Sequence, residues 1–183
     1  MIKKLLDYLY YTFEALSNHI PFFAELYITY HGPSVKKEIE MSRLSQSDKV
    51  LHIGCGAIPY TSIVIVREIN TNIVGIDHKP RIVKVANDYI KRYNLSDMIR
   101  IERGNGKTYD VSDFDVVIIS YGIIDQDLVL RHVIDSMKDG ARIILRRSMA
   151  EKDDYIDLVV NEFSVSSIRL LLTQKSVLIV KKD

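Results

Sequence analysis

Cysteine is nearly absent from this chain, which contains a single one, Cys55, among 183 residues. One cysteine excludes an internal disulfide and a cysteine-based zinc cluster, and we predict no metal site. A chain without disulfides fits a reducing compartment, so the expected location is the cytoplasm.

An excess of charge of either sign is also missing. Lys plus Arg number 25 and Asp plus Glu 24, which gives a net charge of +1. A protein that binds nucleic acid usually carries a basic excess that neutralises phosphates. We therefore expect no nucleic-acid partner.

Long hydrophobic runs do not occur either. A helix that crosses a bilayer needs roughly 18 or more apolar residues in a row, and no segment reaches that length. Asp7 and Glu14 interrupt the apolar N-terminal segment, which is therefore not expected to be a signal peptide. Apolar residues still make up 47% of the chain, which is enough for a buried core. Because no long apolar run occurs, we expect no membrane partner.

Residues 1–44 have the periodicity of helices and are predicted to form an N-terminal cap. Apolar residues three and four apart begin a first helix. Pro21 suits the first turn of a second helix that ends near Tyr30. The sequence HGP at 31–33 predicts a break, and Ser34 would then cap a third helix.

The predicted cap is rich in aromatic residues. We expect them to pack against the rest of the chain and close a pocket, with a homodimer contact or a lipid-facing surface as alternatives. The aromatic residues are Tyr8, Tyr10, Tyr11, Phe13, Phe22, Phe23, Tyr27 and Tyr30.

Residues 45–183 are predicted to form a second domain of alternating strands and helices. Near-continuously apolar strands that alternate with helices predict a doubly wound, mostly parallel α/β sheet covered on both faces. The last two strands have no helix between them and must pair antiparallel. The predicted strands are 49–53, 72–76, 98–102, 115–119 and 141–145, plus two around a turn at Thr173–Lys175; the predicted helices are 60–70, 79–93, 124–137 and 152–161.

The segment VLHIGCGAIPYTSI, residues 50–63, joins the first predicted strand to a helix. Gly54 allows a sharp exit from the strand, and Gly56 leaves room for a ligand against the backbone. Pro59 can open the helix, because the first turn does not use its missing N–H. Ligands of such folds bind beyond the carboxyl ends of the strands, so this loop is a candidate site, although a turn that binds nothing has the same pattern.

Polar residues follow the next three predicted strands. Asp77 can accept hydrogen bonds from two ribose hydroxyls, or it can merely cap the next helix. His78 would flank an adenine ring or lie in solvent. Asn105 can bind an adenine edge or serve only as a turn residue, and Ser120 follows the fourth strand, at the rim where a reacting group would sit.

These features together resemble the class I S-adenosylmethionine-dependent methyltransferases over about residues 45–181. The resemblance includes the first loop, the acid after the second strand, the strand FDVVIIS, the passage MKDGARIIL and the closing strand pair. It implies a Rossmann-like seven-stranded sheet with an antiparallel last strand, and S-adenosylmethionine as the cofactor. Two positions depart from the common pattern: His52 replaces an acidic residue, and Ile58 replaces a glycine.

A narrower resemblance accounts for the departures. IGCGAIPYTSI is similar to the G-S-G-P-x-P-x-T-S-I loop of nicotianamine synthases and related opine-metallophore synthases, which transfer the aminocarboxypropyl group rather than the methyl group. These enzymes also carry a tyrosine-rich helix upstream and a glutamate further along. ELYITYHGPSVKKEIE is loosely similar through Tyr27, Tyr30, Glu38 and Glu40.

The resemblance implies a role for each candidate residue. The methionine portion would lie against Gly54, Cys55, Gly56 and Ala57. The ribose would be held by Asp77, the adenine would lie near His78, Asn105 and Gly106, and Ser120 would complete the cofactor site. Cys55 has no obvious base beside it, so it is expected to be a small loop residue and not a nucleophile.

Tyr121 and Tyr30 are the catalytic candidates of the acceptor side. Either ring could face the sulfonium, and either hydroxyl could relay a proton; the alternative for each is a place in the core or the pocket wall.

Three functions follow for the whole chain. The first is a methyltransferase that acts on a small-molecule acceptor. The second is an aminocarboxypropyl transferase that releases methylthioadenosine. The third is a non-catalytic binding protein that keeps the cofactor fold. No Asn/Asp-Pro-Pro-Tyr stretch follows the fourth predicted strand, which argues against methylation of nucleobase amines.

Overall fold

The computed structural model describes residues 21–149, 163–169 and 174–181. Its helices are α1 (Pro21–Ser42), α2 (Tyr60–Ile69), α3 (Pro80–Arg92) and α4 (Gln126–Ser136). Its strands are β1 (Val50–Ile53), β2 (Ile73–Asp77), β3 (Ile99–Arg103), β4 (Val116–Ile119), β5 (Arg142–Ser148), β6 (Phe163–Arg169) and β7 (Gln174–Lys181). The helices predicted within residues 1–20 and 152–161 lie outside the described residues.

The strands form one seven-stranded sheet in the order β3-β2-β1-β4-β5-β7-β6. Strands β1 to β5 are parallel, and β7 runs antiparallel to both β5 and β6. This confirms the predicted Rossmann-like α/β fold with antiparallel closing strands. The strand order reverses between β1 and β4, which is the switch point where ligands bind in such sheets.

The two central strands explain why the sheet is covered on both sides. All residues of β1 and β4 are buried. Val50, Val116 and Ile118 belong to a core that α1, α2 and α3 share with the sheet, whereas Leu51 and Ile119 belong to a second core with α4. Strands buried on both faces read as continuous apolar runs, which is the pattern that the sequence displays.

Helix α1 corrects the prediction of a break at 31–33. It is continuous from Pro21 to Ser42 and contains Pro33 in its interior. Buried residues continue along one face on both sides of the proline, at Ala24, Ile28 and Val35. Packing of this face against the sheet and α2 therefore outweighs the cost of the proline, and Ser34 lies inside the helix rather than at its start.

The sheet also extends beyond two predicted boundaries. β5 continues past residue 145 to Ser148 and includes the buried side chains of Arg146 and Arg147. Lys175, predicted in the closing turn, instead lies in β7, where it pairs with Arg147 and Arg169. Pairing with strands on both sides extends β7 toward its start; Thr173 lies outside the described residues.

Two arginines of β5 attach α1 to the sheet. Arg142 donates to the carbonyl oxygens of Ser42, at 2.7 Å, and Arg43, at 3.0 Å, and pairs with Asp48. Arg146 pairs with Glu38 in the interior.

Among the described helices, none combines the length and the apolar character needed to cross a membrane.

We predict that Pro33→Ala stabilises the protein. The alanine restores a backbone N–H that can donate to the Thr29 carbonyl one turn earlier, so the free energy of unfolding should rise by about 1–3 kcal/mol. Urea denaturation measures this change. The control is Pro80→Ala in the first turn of α3, where the N–H is not needed and the change should stay below about 1 kcal/mol. A Pro33→Ala protein no more stable than the parent would contradict a continuous α1.

Candidate active site

The loop after β1 turns sharply over the end of β2. Gly54 and Gly56 have φ values of 76° and 69°, in the left-handed region that favours glycine. The N–H groups of Gly54 and Cys55 both donate to the Ile76 carbonyl oxygen, at 2.9 and 3.1 Å. A Cβ on Gly54 would lie 2.9 Å from Cδ1 of Ile123. The sharp strand exit predicted for Gly54 is therefore present, and glycine is required there.

Two of the loop's predicted cofactor residues are buried. Cys55 and Ala57 are almost inaccessible to solvent. Burial, and then the charge of Asp77, raise the pKa of the Cys55 thiol. A buried thiol with a raised pKa has little thiolate at neutral pH, which agrees with the expectation that Cys55 is not a nucleophile.

The Thr-Ser-Ile part of the motif faces the protein interior. Pro59 immediately precedes α2, and Thr61, Ser62 and Ile63 in its first turn are fully buried. Thr61 Oγ1 accepts a hydrogen bond of 2.9 Å from Arg146, and Ser62 Oγ lies 3.3 Å from Nδ1 of His52. These three residues therefore fix the start of α2 to the sheet, and so hold the loop in place.

Asp77 ends β2 beside this loop. Its Oδ1 accepts a hydrogen bond of 2.9 Å from the N–H of Lys79 and lies 3.7 Å from Nδ1 of His78. Both interpretations of Asp77 are compatible with this geometry, because a carboxylate that stabilises the turn with one oxygen can accept further hydrogen bonds. The His78 side chain is mostly exposed.

The loop after β3 lies against the ends of β1 and β2. The N–H of Gly104 donates to the Asp77 carbonyl oxygen at 3.1 Å. A Cβ on Gly106 would lie 2.6 Å from Cγ2 of Ile53, so only glycine allows this approach. Asn105 is exposed, and its Oδ1 accepts from the N–H of Lys107, which leaves its amide N–H groups for another partner.

Ser120 and Tyr121 complete the same edge at the end of β4. The N–H of Ser120 donates to the Ile53 carbonyl oxygen at 3.1 Å, and the Ser120 carbonyl oxygen accepts from the Gln126 amide at 2.8 Å. The Ser120 Oγ lies 2.8 Å from Nε2 of His52. The Tyr121 side chain is 41% exposed. The structure thus brings together the predicted residues of the four strand ends.

Tyr30, the second catalytic candidate, is 64% exposed on α1. Its ring makes an edge contact with His31 of the same helix, with centroids 5.0 Å apart. His31 packs between Tyr27 and Tyr60, with ring centroids 4.4 and 4.9 Å away, and the two tyrosine rings are 5.2 Å apart. We call Tyr27, His31 and Tyr60 the aromatic cluster. Burial, and then Arg146, lower the pKa of His31 to about 4, so its imidazole is neutral at pH 7.

A buried ion pair lies directly behind the aromatic cluster. Arg146 donates to both carboxylate oxygens of Glu38, at 2.8 and 2.6 Å, and to the Tyr60 hydroxyl at 3.0 Å. Ser176 also donates to the same carboxylate. Burial alone would lower the pKa of Arg146, but the charge of Glu38, the hydrogen bonds to its carboxylate and the nearby Tyr60 and Tyr27 together outweigh burial and raise it. The arginine is therefore charged and its charge is compensated inside the protein.

His31, Tyr60 and Arg146 were not among the predicted site residues, and Tyr27 was named only as an aromatic residue of the cap and in the resemblance to nicotianamine synthases. The break predicted at 31–33 placed His31 outside a helix, and the strand predicted to end at 145 excluded Arg146. The available signal was the spacing of Tyr27 and His31, which are four residues apart and lie on one face of a continuous helix.

The fold and the arrangement of the four loops define a class I S-adenosylmethionine-dependent methyltransferase fold. The family model of nicotianamine synthase protein matches residues 18–173. The chain therefore belongs to the nicotianamine synthase family, and both predicted resemblances are confirmed.

Two curated relatives are similar to part of the chain. L-histidine 2-aminobutanoyltransferase of Yersinia pestis is 22% identical over 120 residues, which cover 66% of this chain and 45% of the relative. Demethylmenaquinone methyltransferase of Lactiplantibacillus plantarum is 25% identical over 116 residues, covering 60% and 48%. The chain thus spans about half the length of the curated relatives it matches.

Solved structures have the same fold. A variant of MtNAS in complex with S-adenosylmethionine is 20% identical, with a TM-score of 0.75, over 94% of this chain and 71% of that one. A putative S-adenosylmethionine-dependent methyltransferase from Methanococcus maripaludis is 15% identical, with a TM-score of 0.72, over 93% and 92%. These similarities confirm the predicted Rossmann-like architecture.

We predict that Gly106→Ala disturbs the candidate site. The added methyl group would collide with Ile53 in the central strand, so the loop must move, and we expect a loss of about 1–3 kcal/mol in the free energy of unfolding. The matched control is Gly32→Ala in α1, where no atom lies within 4 Å of the added Cβ. That control should gain about 0.5–1 kcal/mol. Equal effects of the two variants in urea denaturation would contradict the close approach of the loop.

Proposed function

We propose that the chain is an S-adenosylmethionine-dependent transferase that moves the aminocarboxypropyl group to a small-molecule acceptor and releases methylthioadenosine. The match to the nicotianamine synthase model carries this proposal, because it includes α1 as well as the cofactor loop. Two similar proteins also support it. One relative is a 2-aminobutanoyltransferase, and one MtNAS structure, with a TM-score of 0.70, is a complex with MTA and tNA.

The polar groups at the carboxyl edge suit S-adenosylmethionine. Gly54 and Gly56 are partly exposed, so the methionine portion can lie against the backbone of the first loop. Asp77 offers carboxylate lone pairs to the ribose hydroxyls, and the Asn105 amide offers donors to the adenine. Ser120 supplies a hydroxyl beside the first loop.

The protein's task in this reaction is positioning. Bound S-adenosylmethionine supplies a sulfonium whose carbons are already activated toward attack. The chain must align the acceptor and exclude water. The aromatic cluster adjoins the first turn of α2 and therefore lies beside the cofactor loop. Its rings can face a cation, and the neutral His31 can accept a hydrogen bond from an acceptor amine. Tyr121 at the rim and Tyr30 on α1 remain acceptor-side candidates in this proposal.

Methyl transfer to a small molecule is the second candidate. The observation that favours it is the similarity to demethylmenaquinone methyltransferase and to the Methanococcus maripaludis protein, whose chain is covered almost completely. The third candidate, a non-catalytic binding protein, would keep the same loops without turnover. The balanced charge of the chain supports an acceptor other than nucleic acid in either enzymatic case.

The nucleoside product distinguishes these functions. The purified protein would be incubated with S-adenosylmethionine and a small-molecule extract of its source, and the products identified by mass spectrometry. We expect methylthioadenosine above the spontaneous rate of a protein-free sample. S-adenosylhomocysteine instead would make the chain a methyltransferase. The absence of both products would favour the non-catalytic function.

We predict that Asp77→Asn weakens S-adenosylmethionine binding. The asparagine can still accept the hydrogen bond from Lys79, so the turn persists, but the charged acceptor for the ribose is lost. The expected loss is roughly 10- to 100-fold in Kd, measured by isothermal titration calorimetry. The control, Asp97→Asn, removes an exposed carboxylate just before β3, at the amino ends of the strands, and should leave the Kd unchanged. Unchanged binding by Asp77→Asn would remove Asp77 from the cofactor site.

A further inference from the structure

A histidine in the middle of the sheet is the starting point. His52 lies in β1 between the apolar residues Leu51 and Ile53, opposite Gly75 of β2 and Ile118 of β4. It is 1% exposed. A buried imidazole is costly unless its nitrogens are hydrogen-bonded, so the position of its partners carries information.

Both partners of His52 are serine hydroxyls, one buried at the start of α2 and one at the end of β4. Nδ1 lies 3.3 Å from Oγ of Ser62, in the first turn of α2 that follows the cofactor loop. Nε2 lies 2.8 Å from Oγ of Ser120, at the end of β4. We call Ser62, His52 and Ser120 the histidine relay. It connects the two strand ends at the switch point beneath the loop.

The imidazole of the histidine relay is neutral. Burial, and then the positive charge of Arg146, lower the pKa of His52 to about 3. A neutral imidazole has one N–H and one lone pair. The relay is therefore directional: if Nδ1 donates to Ser62, then Nε2 must accept from the Ser120 hydroxyl, and the reverse holds for the other tautomer.

The backbone of Ser120 is fixed, so the direction of its hydroxyl is the remaining variable. Its N–H and its carbonyl oxygen are both hydrogen-bonded, to Ile53 and Gln126. The same Gln126 amide also donates to the Arg146 carbonyl oxygen at 3.0 Å, which ties the end of β4 to β5. Ser120 Cβ lies 3.4 Å from the point that an added Cβ on Gly54 would occupy, so Ser120 packs against the first loop.

We propose that His52 is a positioning residue that directs the Ser120 hydroxyl hydrogen into the sheet and so presents the Ser120 oxygen lone pairs to the positively charged methionine portion of S-adenosylmethionine. The inference rests on the proposed function. In the opposite tautomer Ser120 would offer a donor hydrogen to a cation, which is unfavourable. His52 touches no ligand itself, because both of its nitrogens are occupied and its side chain is buried.

A double-mutant cycle tests the positioning role. His52→Leu and Ser120→Ala should each weaken the Kd for S-adenosylmethionine roughly five- to tenfold, and the double variant should bind no more weakly than Ser120→Ala alone. His52→Gln, whose amide can reach Ser120, should restore part of the affinity. The control is Thr71→Val, at the amino ends of the strands. It removes a buried hydroxyl that donates to the Asp48 carbonyl oxygen at 2.7 Å, and it should leave the Kd unchanged.

The ¹⁵N resonances of His52 give a second readout that a merely structural role would not move. Protonated and unprotonated ring nitrogens have well-separated shifts, and saturation with S-adenosylmethionine should leave Nδ1 protonated and Nε2 unprotonated. Additive losses in the cycle, or a protonated Nε2 in the complex, would overturn this role while the proposed function stands. A parent protein that binds no S-adenosylmethionine would overturn both.

Discussion

The buried pair of Glu38 and Arg146 is the interaction on which the rest of the structure depends. It joins α1 to the middle of the sheet, and the same guanidinium holds Tyr60 and Thr61 at the start of α2. Removal of one partner of such a pair leaves an uncompensated buried charge, which costs about 3–5 kcal/mol. A single arginine thus fixes α1, which carries Tyr27 and His31, and α2, which begins with Tyr60 after the cofactor loop, in one relative position.

The same pair sets the electrostatics around the aromatic cluster. Arg146 is charged, and its charge contributes to the low pKa of both His31 and His52. Glu38 compensates that charge within the interior, so neither member is left to bind a charged group of a ligand. The acceptor side that we propose is therefore formed by aromatic rings and neutral imidazole, while Asp77 at the end of β2 supplies a negative charge.

Most of the fold could be predicted from the sequence, and the reason lies in the central strands. Val116–Ile119 is apolar throughout, and Val50–Ile53 is apolar apart from His52, because both faces of these strands are covered; the glycines and Asp77 follow directly where strands end. Two features could not be predicted locally. The continuity of α1 through Pro33 depends on the sheet and α2 packed along its buried face, and the extension of β5 through Arg146 depends on a glutamate 108 residues away. Both are tertiary effects, and both concern the surroundings of the aromatic cluster, where the prediction from sequence missed residues.

The inward orientation of Thr61, Ser62 and Ile63 has a consequence for how this loop motif is used. The residues that make the motif recognisable hold the scaffold to Arg146 and His52 and are inaccessible to a ligand. A motif of this kind identifies proteins that build the loop in the same way, whatever group they transfer. A descendant that exchanged its acceptor, or lost turnover altogether, would still carry the motif. The substitutions that accompany a change of chemistry would instead lie on α1 and at the rim.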